Sequence, residues 1–142
     1  MVALLDVNIL IALSDPGHNF HQTAKSWVLS HAENGFASCP LTQNGCIRIV
    51  SQPGYRYQIP LMEAVQTLQK ICQSPGHQFW PDDISLMDAA TFDHRKIHGH
   101  RQLTDIYLLA LAVKNQGCFV TFDGAIPLSA VKGAKKQHLV VL

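Results

Sequence analysis

Charge is scarce in this chain: only 15% of its 142 residues are Asp, Glu, Lys or Arg, and they nearly cancel to a formal net charge of +1. That balance excludes a protein that gathers polyanions through its overall field, so any nucleic acid must be held by a local patch. With 47% hydrophobic residues the composition is that of a globular chain rather than a disordered one. Long apolar runs are also missing. The longest, Ile106 to Val113, falls far short of the roughly 20 residues that span a bilayer, and no membrane segment is expected. Met1 leads straight into a strand-like segment, so the expectation is a soluble cytoplasmic protein. The four cysteines, Cys39, Cys46, Cys72 and Cys118, include no CxxC pair. Three of them lie in apolar stretches, which points to buried thiols acting as small hydrophobes rather than to zinc or redox chemistry. Neither a repeat period nor a low-complexity tract divides the chain, and one domain over residues 1–142 is expected.

The remaining pattern is an alternation of short apolar runs with helical periodicities. Val2 to Leu5 suits a strand buried on both faces, and Asn8 to Leu13 a short helix. After the turn Asp15-Pro16-Gly17, the spacing of Phe20, Ala24, Trp27 and Val28 predicts an amphipathic helix reaching His31. Phe36 to Cys39 reads as a second strand, with Pro40 opening a helix through Ile47 and Val50. Pro60 opens another, through Met62, Val65, Leu68 and Cys72. Gln78 to Trp80 is a third strand, and Ile84 to Phe92 a helix capped by Asp82 and Asp83. A basic loop over His94 to Gln102 precedes a helix over Leu103 to Lys114, with Thr104 as candidate N-cap. Cys118 to Thr121 and His138 to Leu142 close the series as strands. Such an alternation specifies an α/β fold, a three-layer α/β/α sandwich with a mainly parallel sheet. Ligands of such sheets bind beyond the carboxyl ends of the strands, where the strand order reverses.

Three acids stand where those elements begin or end: Asp6 after the first strand, Asp105 at the start of a helix, and Asp123 after the Cys118 to Thr121 strand. Each alone is an ordinary helix-start or turn residue. Brought together they would repel one another and raise one another's pKa unless a cation offset them, so their combination points to a metal. The donors are all oxygen, which suits Mg2+ or Mn2+ better than zinc.

In five ordered motifs, LLDVNILIAL, CPLTQNGCIRI, FWPDDISL, GHRQLTDIYLLALAV and FVTFD, the chain resembles the PIN-domain family over nearly its full length, specifically the VapC-type toxins of bacterial toxin-antitoxin pairs. The resemblance implies a Mg2+-dependent endoribonuclease, usually dimeric, neutralised by a cognate antitoxin. Asp6, Asp105 and Asp123 would then be the catalytic metal ligands, with Asn8 and Thr121 as polar groups steadying the site. Hydrolysis of an RNA phosphodiester by metal-activated water would leave a 5′-phosphate and a 3′-hydroxyl. One departure stands out: the family pattern has a Glu early in the helix after the second strand, whereas Pro40 to Cys46 here contains no acid. One branch of these toxins carries a similar TQ-x-G-x-x-R pattern, so the absence does not imply inactivity. Gln43 or Asn44 is the candidate neutral oxygen in its place. The alternative is a PIN-fold module that binds RNA or a partner without cutting.

Other residues admit more than one reading. Arg48 either pairs with one of the acids or grips a phosphate. His94, His98 and His100, beside Arg95, Lys96 and Arg101, form either a solvated basic loop, a phosphate contact or a zinc site, and His100 and Arg101 are the candidates for RNA. Lys132, Lys135 and Lys136 read as ordinary surface or as a second RNA patch, and Tyr55 and Tyr57 as a core edge or a base-stacking pair. A phosphate-receiver function is disfavoured, because the Asp6-Val7-Asn8 run lacks the second Asp of a DxD nucleophile motif.

Overall fold

The first strand supplies the axis of the molecule. In the computed structural model, which describes residues 1–142, β1 (Ala3–Leu5) is flanked on one side by β2 (Phe36–Ser38) and β3 (His77–Phe79). On the other side lie β4 (Cys118–Thr121) and β5 (Leu139–Val141). The order is β3-β2-β1-β4-β5 and every pair is parallel, with Ala3 beside Phe36 on one flank and Cys118 on the other. Parallel neighbours need crossovers, and the right-handed rule puts crossovers that travel in opposite directions on opposite faces of the sheet. The helices divide accordingly. α1 (Val7–Ser14), α2 (His21–Ser30), α3 (Pro40–Ser51) and α4 (Leu61–Cys72) cover one face, and α5 (Leu103–Lys114) covers the other.

Strand alternation distributes the core between those faces. Ala3, Leu5, Phe36, Cys118 and Val120 pack under α1 to α4, whereas Leu4, Ala37 and Phe119 pack under α5 with Trp80, Phe92 and Val131. Burial on both faces is why the strands read as unbroken apolar runs. The same reasoning explains α5, in which Ile106 and Leu108 to Ala112 are all buried. By contrast α4, on the periphery, buries only Ala64 and Leu68. The α/β/α sandwich expected from the sequence is therefore the fold observed, and all four cysteines are free thiols, three of them buried.

Three expectations need correction. Residues 84–92 form turns rather than a helix. Here Ser85 Oγ accepts from the Met87 N–H, and the Asp88 carboxylate accepts from the Ala90 N–H and the Thr91 hydroxyl. These local bonds offer the backbone an alternative to helical hydrogen bonding. The segment is held by Phe92, only 1% exposed, which bridges to Val131, while Met87 stands 87% exposed. Asp82 and Asp83 therefore cap no helix after them. Asp82 Oδ2 instead accepts from the Leu41 N–H at the start of α3 (2.9 Å), and Asp83 pairs with Lys114 of α5 (2.7 Å). Thr104 is likewise not the N-cap of α5, which begins at Leu103 after a 3-10 turn over His100–Gln102.

Candidate metal centre at the sheet edge

The reversal of strand order falls between β1 and β4, and both strands end in residues of the acidic set. Asp6 is the N-cap of α1, its extended backbone turning the chain from strand into helix while Oδ1 accepts from the Val7 N–H (2.6 Å). Oδ2 accepts from the Thr121 hydroxyl (2.6 Å), tying the ends of β1 and β4 together. The same Thr121 oxygen accepts from Asn8 Nδ2 (3.3 Å) and from the Asp123 N–H (3.1 Å). Asp6 and Thr121 are buried, at 5% and 0% exposure, so this small network is rigid. One polar atom in it is left over: Asn8 Oδ1 is buried with no hydrogen-bond partner.

Asp105 approaches from the other face, in the first turn of α5. Burial, and then the charges of Asp6 and Asp123, push its carboxyl up from the usual 3.8 to about 6. Burial likewise raises Asp6, and the nearby Asp123 adds to that, against the opposing pull of its bonds from Thr121 and Val7. Asp123 itself is exposed, with Oδ1 accepting from the Ala125 N–H (2.8 Å). A cavity of about 350 Å3 opens over these groups, lined by Asp6, Asn8 and Asp105 together with Thr104, Asn44 and Arg48. The last two come from α3, whose stripe Leu41, Asn44, Gly45, Arg48 faces the cavity and carries no acid. Gly45 is what lets α3 come so near, because a Cβ there would lie 2.8 Å from Val7 Cγ2 of α1.

Comparison with known proteins decides the family. No protein-family model matches the chain. It is 46% identical to Ribonuclease VapC44 of Mycobacterium tuberculosis over 142 residues, covering the whole of both chains. To Ribonuclease VapC39 of the same organism it is 40% identical over 135 residues, covering 94% of this chain and 96% of the relative. The chain belongs to the VapC ribonuclease family. Among solved structures, the VapC fold recurs in M. tuberculosis VapC20, described as a sarcin-ricin loop cleaving toxin, with a TM-score of 0.59 and 14% identity over 87% of this chain and 91% of that one. It recurs again in VapBC2 from Rickettsia felis, bound to a DNA fragment from their promoter, with a TM-score of 0.57 and 14% identity over 87% and 89% of the two chains.

Within this VapC chain, the donor set fits a hard divalent cation in charge and in element: three carboxylates and an unpartnered amide oxygen, with no imidazole or thiol among them. As they stand, no three carboxylate, imidazole or thiol groups are arranged to close around one ion. Asp6 and Asp123 each commit an oxygen to a neighbouring backbone N–H. The candidates from α3 part company: Asn44 lines the cavity, whereas Gln43 turns away and donates to Ser38 Oγ (2.9 Å), itself bonded to His77 Nε2 (2.8 Å). Arg48 lines the cavity too. His100 and Arg101 do not; they edge a separate shallow hollow with His98 and Gln102. His94 is bonded to the Leu86 carbonyl, and no zinc-binding group forms in this loop. Tyr55 packs at the core edge under α1 to α4, with its hydroxyl donating to Asp15 (2.6 Å), while Tyr57 lies exposed under Arg56. A larger cavity of about 550 Å3, between α2 and α4, is mainly apolar and shares no residue with the acidic one. Sequence reasoning missed Thr104 as a cavity wall and Gly45 as the contact that admits α3. The spacing of Leu41, Asn44, Gly45 and Arg48 at i, i+3, i+4 and i+7 was the signal available for the second.

Proposed function

We propose that this chain is a Mg2+-dependent endoribonuclease, with Mn2+ as an alternative ion, acting as the toxin of a toxin-antitoxin pair. In this reading it works in the cytoplasm as a homodimer restrained by a cognate antitoxin. The observation that carries the reading is that Asp6 and Asp105 line one cavity at the switch point of the sheet, with Asp123 near enough for its charge to act on both, so that burial and repulsion push the Asp105 carboxyl up to about 6. Relatives named ribonucleases support RNA as the substrate, and a solved neighbour named VapBC2 supports an antitoxin partner.

Asp6, Asp105 and Asp123 would hold the ion, with Asn8 Oδ1 available beside them. When bound, it supplies positive charge that favours ionisation of the attacking water and offsets charge building on the phosphate. The chain's own residues do the rest. Thr121 fixes the Asp6 carboxylate and Asn8 in one orientation, so little reorganisation is required during reaction. Asn44, Arg48 and Thr104 line the same cavity and would offer polar groups to a phosphate there. A second reading, a VapC-fold module that binds RNA without cutting it, draws support from the absence of any acid on the cavity face of α3.

RNA cleavage measured in Mg2+ and in EDTA, for the native chain and for Asp6→Asn and Asp105→Asn, tests the first reading. Cleavage confined to the native chain with Mg2+ is expected, and equal cleavage in every arm would sink it. Calorimetry with Mn2+ separates the second: intact RNA binding with no detectable ion binding favours the module that does not cut.

A further inference from the structure

We propose that Arg48 is the phosphate anchor of the acidic cavity and takes the place of a second cation, so that the site works with one divalent ion per chain. The proposal rests on the ribonuclease reading and deepens it. α3 brings two functional side chains to the cavity, Asn44 and Arg48, and neither can bind a divalent ion by charge. Arg48 is exposed and uncommitted. The chain has two ion pairs, Arg95 with Asp93 and Lys114 with Asp83, and Arg48 is in neither. No side-chain hydrogen bond of the protein engages it, although Asp6 and Asp105 line the same cavity. Its five donors are therefore open on the cavity wall, in the fork geometry that matches a phosphate.

Charge points the same way. The charges of Asp6, Asp105 and Asp123 would be balanced by one divalent ion and one guanidinium, so a phosphate would enter a neutral site. Adding a second divalent ion would leave excess positive charge and would need ligands that α3 does not carry. Position is fixed as well. The Gly45 contact with Val7 holds α3 against α1, and Arg48 stands one turn further along the same stripe, on the wall of the cavity that Asp6 also lines. Guanidinium suits the task because its planar fork meets two phosphate oxygens at once.

The experiment uses the full chain and a short fluorescein-labelled single-stranded RNA, with affinity read by anisotropy in EDTA at several salt concentrations. Mn2+ binding is measured separately by calorimetry. Arg48→Gln is expected to weaken RNA binding about tenfold and to lower the slope of log affinity against log salt by about 0.7, one phosphate contact's worth on a single strand. Its Mn2+ affinity should be equal to that of the native chain or higher, because a repelling charge has been removed. Arg48→Lys should restore the salt slope but not the full affinity. The native chain should take up one Mn2+. Unchanged RNA affinity in Arg48→Gln, a fall in its Mn2+ affinity, or two ions bound per native chain would each overturn the proposal. Thermal melts confirm that the variants fold, and the exposed position of Arg48 favours this. The two readings fail separately: if Arg48→Gln binds RNA like the native chain while the native chain still cleaves in an Asp6-dependent way, only the anchor proposal falls, and if the native chain does not cleave but its RNA binding in EDTA depends on Arg48, only the ribonuclease reading falls.

Discussion

Removing one of the acids should make the ligand-free protein more stable while abolishing the proposed chemistry, and Asp105 is the one to remove. Its carboxyl titrates at about 6 rather than 3.8, through burial and the charges of Asp6 and Asp123. A carboxyl whose pKa is raised by folding imposes a penalty that is absent below about pH 4, grows between pH 4 and 6, and is complete above 6. Two pKa units correspond to about 3 kcal/mol, and partial solvent access at the start of α5 reduces that to about 1.5 kcal/mol. Loss of the favourable acid at a helix N-terminus removes about 0.5 kcal/mol, leaving a net gain of about 1 kcal/mol for Asp105→Asn at pH 7.5. For a chain of this size the melting temperature should rise by about 3 to 5 °C. The assay is urea and thermal denaturation followed by circular dichroism, in EDTA, at pH 7.5 and pH 4.5. The repulsive component of the gain should fall to about a third at the lower pH. Saturating Mn2+ should reverse the order, because the native chain then gains binding energy that the variant lacks. An Asn variant that is less stable at pH 7.5 without metal, or a gain that is the same at both pH values, would refute the reasoning.

Thr121→Val keeps the shape but leaves Asp6 Oδ2 and Asn8 Nδ2 without their shared partner; it should lower stability by about 2 kcal/mol and reduce RNA cleavage, whereas Thr121→Ser should retain most of both. Gly45→Ala drives a methyl to 2.8 Å from Val7 Cγ2 and should cost about 1–3 kcal/mol by urea melt, with Val7→Ala in the same chain restoring part of the loss. Phe92→Ala should cost about 3–5 kcal/mol with no change in far-ultraviolet helix signal, because its segment is pinned by packing and holds no helix.

The sheet and α5 were legible because residues buried on both sides leave continuous apolar runs, and Asp6, Asp105 and Asp123 stood out as charges at the ends of those runs. Residues 84–92 misled because their apolar spacing suits a helix, while Ser85 and Asp88 hold the backbone in turns that periodicity does not register. Asp82 misled for a different reason: an acid before an apolar stretch reads as the cap of that stretch, but its partner is Leu41, 41 residues earlier in the chain. Gln43 and Asn44 are one residue apart and were interchangeable as candidate donors. Rotation of about 100° per residue along α3 separates them, sending one to the acids and the other to Ser38.

The bond between Thr121 and Asp6 sets the order in which this protein can become active during synthesis. Asp6 leaves the ribosome among the first residues, yet the hydroxyl that orients it lies 115 residues later, on a strand that pairs with β1 on the flank opposite β2 and β3. At roughly 5–20 residues per second, about 6 to 23 seconds separate the two. Throughout that interval the nascent chain carries Asp6 without Thr121 or Asp123, so on the proposed function a translation product cut short before β4 lacks part of the site. Danger to the cell, on the proposed function, begins only with a nearly finished molecule.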